Sequence, residues 1–260
     1  MNEFATRVEN RFRFSRKELF WLLVTTIVAA FVLTFRKWGG ETFNLEAGLS
    51  NLVLSAVLVF IFLLIHFSVQ KLVALRLGYV SQYKSWLNGL LISLMICFFT
   101  YGYLPVFFTG SLLHDVVPKL RAGVFRGGVK HKEIGLIAFA GPFSNLVIIG
   151  FLAPIYLVLI SKDPQAGITS FFHTAIIINL LMAVFSLLPI PTFEKLRQFA
   201  GGTTGLYLFI ASRWVYVLVF ATVLAYSALI LLFHFFSYII ALIIGVIASV
   251  IYITRFEVEK

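Results

Sequence analysis

Residues Asn51 to Gly78 read NLVLSAVLVFIFLLIHFSVQKLVALRLG, and this stretch decides the fold class. No ionisable side chain occurs from Asn51 to Ile65, and the apolar run continues to Val73 around His66, Gln70 and Lys71. A helix needs roughly 20 mainly apolar residues to cross the hydrocarbon core of a bilayer. Asn51–Val73 therefore reads as a membrane-spanning helix. His66 and Gln70 are four residues apart and share one face of it.

The same measure, applied outward, finds further spans at Leu19–Phe35, Ile134–Ile160, Ser170–Pro189, Trp214–Leu232 and Ser237–Ile253. Trp86–Phe108 is a seventh apolar stretch, interrupted by Gly102 and Pro105, and is not expected to cross as one straight helix. Of the 260 residues, 60% are hydrophobic and only 12% are charged, against about 25% charged in a soluble domain. A soluble globular fold and a disordered chain are both excluded. The single cysteine, Cys97, excludes an internal disulfide and a cysteine-rich metal site.

Lysine and arginine choose between the two topologies. With seven spans the basic residues divide almost evenly. If Trp86–Phe108 instead dips in and returns on its own side, 18 of the 21 fall on one side with both termini. Such a bias is what the positive-inside rule expects. The chain is expected to be an all-α polytopic protein of the cell membrane. It has six transmembrane helices, a re-entrant element, and both termini in the cytoplasm. Residues 1–18 form a basic cytoplasmic segment, 19–253 a single membrane domain, and 254–260 a cytoplasmic tail. Ser15-Arg16-Lys17-Glu18 is a capping-box pattern just before the first span. The interleaved Arg and Phe of Arg11–Phe14 suit a membrane surface better than nucleic acid, and no nucleic-acid partner is expected. A basic segment before an apolar run also fits a signal peptide, but no small-x-small cleavage site follows Phe35, so a retained anchor helix is expected.

Polar residues at membrane depth point to function. Besides His66 and Gln70 there is Ala140-Gly141-Pro142-Phe143-Ser144-Asn145, which puts a Gly-Pro pair and an asparagine inside a span. Asn179 follows, and then Ser186-Leu187-Leu188-Pro189-Ile190-Pro191-Thr192-Phe193-Glu194-Lys195 ends the next span. In the six-span topology His66, Gln70 and Glu194 approach one membrane depth from two helices.

With these motifs in order, the chain resembles the site-2 proteases, intramembrane zinc metalloproteases, and their archaeal members most closely. His66, Ala74 and Gly78 fit the register of H-E-x-x-H-x-x-x-A-x-x-x-G. Gly141, Pro142 and Asn145 match Gly-Pro-x-x-Asn. Pro189 and Pro191 match N-x-x-P-x-P-x-L-D-G. The resemblance covers roughly residues 50–232 and implies a zinc held by two histidines and an aspartate, with a glutamate as base. It implies substrate contacts at Asn145, Asn179, Ser186, Pro189 and Pro191.

The departures decide the functional expectation. Phe67 stands where the glutamate base belongs, Gln70 replaces the second histidine, Glu194 the aspartate, Lys195 the glycine after it, and Ser186 the asparagine. A catalytic zinc takes three protein ligands and an open position, and loss of the base removes roughly 10²–10⁴ in rate. Zinc is expected to be lost. His66 and Glu194 are the candidate ligands if any metal binds. The expected function is that of a pseudoprotease that binds transmembrane segments without cutting them, with a single-span membrane protein as client within the bilayer. Leu104–Thr109 offers an exposed strand edge for such a guest, or else packs as a structural hairpin. Two alternatives stay open: a hydrolase with an altered zinc site, and a transporter or channel lined by His66, Gln70, Asn145 and Asn179. Without a metal, Glu194 is expected to pair with Lys71, Lys195 or His66, or to face water.

Overall fold

The computed structural model describes residues 3–39, 42–116, 130–190, 204–233 and 237–257. They fall into two compact units, one holding α1 to β2 and the other α5 to α9.

The first unit begins with α1 (Glu3–Arg11) and α2 (Arg16–Thr34). The start of α2 is fixed by the expected capping box. Ser15 Oγ accepts from the Glu18 N–H, and the Glu18 carboxylate accepts from the Ser15 N–H. Two orphan amides of the first turn are thereby satisfied. α3 (Leu45–Leu77) has Asn44 as its N-cap and ends at Gly78, where φ is +91°. Glycine adopts that left-handed conformation without a Cβ clash. Its 33 residues make it about 50 Å long, more than the roughly 30 Å hydrocarbon core requires.

Directly after Gly78, β1 (Tyr79–Lys84) pairs antiparallel with β2 (Ser111–Val116), in a register that sets Tyr79 opposite Val116 and Lys84 opposite Ser111. Between them lies α4 (Leu87–Phe99), only 13 residues long, or about 20 Å. It stops where the interruption was expected, with Tyr101 and Gly102 at positive φ. The turn packs at the C-terminal end of α2. Phe98 and Phe35 rings meet edge to face at 5.3 Å, and the Arg36 guanidinium sits 3.8 Å above the Tyr103 ring. The chain then returns along α4, where the Phe108 N–H donates to Ser93 Oγ. Leu104–Thr109 is not the exposed strand edge entertained from sequence. Phe107, Phe108 and Thr109 are buried, and the strand begins two residues later at Ser111.

The second unit comprises α5 (His131–Lys162), α6 (Gly167–Ser186), α7 (Thr204–Ala211), α8 (Arg213–Phe233) and α9 (Ser237–Tyr252), the last followed by a π-turn at Ile253–Glu257. α5 runs through both Pro142 and Pro154. Ile149, Ile176 and Leu180 form one apolar cluster, and Ala183, Leu187, Leu208, Tyr216 and Val223 another. α9 turns Ser237, Ala241, Gly245 and Ser249 inward. These small side chains bring it close to α8, so that a Cβ on Gly245 would lie 1.9 Å from Thr222 Oγ1.

Among the described residues five helices are long and apolar enough to cross a membrane: α2, α3, α5, α6, and α9 continued to Glu257. The chain is thus a mostly helical integral membrane protein. The remaining expected span, Trp214–Leu232, coincides with α8, whose described apolar run ends at Leu229 and is shorter than the other five.

Candidate functional site

The C-terminal third of α3 gathers the first group of expected site residues. His66, Phe67 and Gln70 are all buried, His66 and Phe67 completely. Being four apart on a helix, His66 and Gln70 meet, with Gln70 Nε2 3.4 Å from His66 Nε2. An amide nitrogen only donates, so the imidazole nitrogen is the acceptor. Phe67 packs its ring edge-on against His66 at 5.0 Å and against Tyr83 of β1 at 4.6 Å. Where the resemblance calls for a carboxylate, an aromatic ring fills the space and belongs to the core.

One residue further on, Lys71 is the centre of a polar network that sequence reasoning missed. Its Nζ donates to Glu18 Oε1 at 2.6 Å and to the Arg13 carbonyl at 3.0 Å, and lies 4.1 Å from the centroid of the Phe14 ring. Glu18 Oε1 also accepts from the Tyr83 N–H at 2.6 Å. The Tyr83 hydroxyl donates to the Thr109 carbonyl at 2.7 Å and lies 2.8 Å from Thr25 Oγ1. Burial raises the Tyr83 hydroxyl pKa far above its ordinary value, so this phenol is neutral. Lys71, one of the counter-ions expected for Glu194, pairs with Glu18 among the described residues. The usable signal was a carboxylate at the head of one apolar run and an ammonium near the end of the next, since such charges are buried only when paired. Glu194, Lys195 and Pro191 lie outside the described residues.

The other expected residues belong to the second unit. Asn145 on α5 is wholly buried, and among the described residues neither its amide nitrogen nor its amide oxygen has a hydrogen-bond partner. On α6, Asn179 is also buried. Its Nδ2 donates to the Ala175 carbonyl, while Oδ1 has no partner among the described residues. Ser186 donates to the Ala183 carbonyl, and Pro189, just past the helix, is exposed. His114, on β2, sits 2.7 Å from Ser81 Oγ by its Nδ1, and burial lowers its pKa to about 4.

Around His66 the described residues supply one imidazole, one amide and a phenyl ring, which by themselves do not make up the three protein ligands of a zinc site. Among the described residues no three His, Cys, Asp or Glu side chains cluster as a metal site would require.

A protein of Methanocaldococcus jannaschii bearing the name "Putative zinc metalloprotease" is 27% identical to this chain over 187 residues, covering 70% of this chain and 83% of that protein. No family model matches the chain, and no solved structure matches it. The class defined so far is an integral membrane protein with several apolar helices. In particular, it is a distant relative of that archaeal protein.

Proposed function

We propose that the chain is a catalytically inactive, site-2-protease-like membrane protein that holds transmembrane segments or membrane proteins without cleaving them. The observation that carries this reading is the contact of His66 with Gln70 and Phe67. The histidine that would ligate zinc is engaged by an amide, and the place of the base is occupied by a buried ring. The archaeal relative supports descent from a metalloprotease.

The buried Asn145 amide supports guest binding. An amide at membrane depth with both polar atoms unused is costly, and the backbone of an unwound guest offers both a donor and an acceptor. The pairing of Tyr79 with Val116 supports entry and exit of the intervening segment on one side, and with it the six-span topology. The excess of basic residues on that side supports cytoplasmic termini.

Metal analysis of the purified full-length protein tests the reading. The expected result is no bound zinc, and stoichiometric zinc overturns it. The combined substitutions Phe67→Glu, Gln70→His, Glu194→Asp and Lys195→Gly are expected to restore metal binding.

A further inference from the structure

We infer that the segment Arg11–Lys17 is a binding site for anionic lipid headgroups of the leaflet in which α2 begins. Arg11, Arg13, Arg16 and Lys17 are exposed, and none of their side chains has a hydrogen bond or ion pair within the described residues. The neighbouring acids do not neutralise them. Among the described acids of residues 3–18, Glu18 is buried and held by Lys71, Glu3 pairs with Arg7, and the exposed Glu9 remains. Four cations therefore stand beside one free carboxylate at the mouth of an apolar helix.

Two of these cations oppose local helix physics. Arg16 and Lys17 occupy the first turn of α2, where the positive end of the helix dipole disfavours cations. A phosphate in front of that turn would reverse the sign of this interaction, since helix N-termini and cations both attract anions.

The backbone that presents the cations is fixed. Lys71 Nζ holds the Arg13 carbonyl and lies against the Phe14 ring, while the Ser15–Glu18 capping box sets the next residues. Phe12 and Phe14 are half-buried, with rings 6.4 Å apart. The charges thus alternate with anchored rings at the end of a span, the arrangement through which juxtamembrane basic clusters take up anionic lipid. This inference stands apart from the pseudoprotease reading, because it uses neither His66 nor Asn145.

The test uses the full chain in mixed phosphatidylcholine and phosphatidylglycerol vesicles, with the lipid retained after extraction into detergent quantified. Wild-type protein is expected to retain phosphatidylglycerol several-fold over its share of the vesicle, with the preference falling as salt rises. Arg11→Gln, Arg13→Gln, Arg16→Gln and Lys17→Gln together are expected to abolish it. Arg11→Lys, Arg13→Lys and Arg16→Lys are expected to keep it, as are Lys162→Gln and Arg255→Gln. Retention in the same ratio as the vesicle, or a preference that survives the fourfold neutralisation, overturns the proposal. So does displacement of the lipid by equimolar inorganic phosphate, or preferential capture of a single-stranded oligonucleotide. The salt titration of the wild type needs no variant, so it stands even if the neutralised chain inserts poorly.

Discussion

The Nζ of Lys71 and Oε1 of Glu18 meet at 2.6 Å with both side chains buried, joining α3 to the first turn of α2. Removing one partner of a buried pair strands the other charge, at a cost of about 3–5 kcal/mol, whereas replacing both with apolar residues is often neutral. Lys71→Met or Glu18→Leu alone is expected to lower thermal stability in detergent strongly. The double variant is expected to recover most of the loss. Additive losses in the double variant would contradict a paired role.

Phe67 is fully buried between His66 and Tyr83. Truncating such a ring costs about 3–5 kcal/mol. Phe67→Ala is expected to destabilise the protein by that amount, and Phe67→Leu by clearly less. Denaturation of the two variants, compared at one detergent concentration, checks the order.

Two glycines are expected to respond with opposite signs. A Cβ on Gly245 would lie 1.9 Å from Thr222 Oγ1 and 2.9 Å from the Leu218 carbonyl, whereas one on Gly150 would meet nothing within 4 Å. Gly245→Ala is expected to cost about 1–3 kcal/mol through overpacking of α9 on α8. Gly150→Ala is expected to stabilise α5 by about 0.5–1 kcal/mol, because alanine loses less backbone freedom on folding. Unfolding midpoints of the two variants read the difference directly.

Protonation of His114 is expected to weaken the β1–β2 hairpin in mild acid. Burial lowers its pKa to about 4 in the folded chain, against about 6.5 for an exposed histidine. Between these values the unfolded chain binds more protons, so stability falls as pH drops from about 6.5 to about 4 and then levels off. Ser81 Oγ, 2.7 Å from Nδ1, would also lose its acceptor. His114→Gln is expected to flatten this part of the pH–stability curve. An unchanged slope would assign the effect to another group.

The spans were legible because length and hydropathy are local properties. Asn51–Val73 became α3, lengthened at one end by the Asn44 cap and at the other to the Gly78 turn. The break near Gly102 was legible too, since only a few residues tolerate that backbone. The hairpin was not read, although Tyr79, Ser81 and Tyr83 are buried in alternation along β1. Its partner strand lies some thirty residues away, and nothing in either strand alone names the other. His66 and Gln70 could be placed together because one helix turn joins them. Lys71 could not be assigned to Glu18 that way, because that contact is a product of how two helices pack.

Glu18 leaves the ribosome 53 residues before Lys71 does. A nascent α2 therefore reaches the membrane boundary before the ammonium that holds its carboxylate in the folded chain has been made, and a buried carboxylate is costly until it is paired. The burial of Glu18 is complete only once α3 is in place, so the final seating of α2 depends on α3 even though each is apolar enough to span alone.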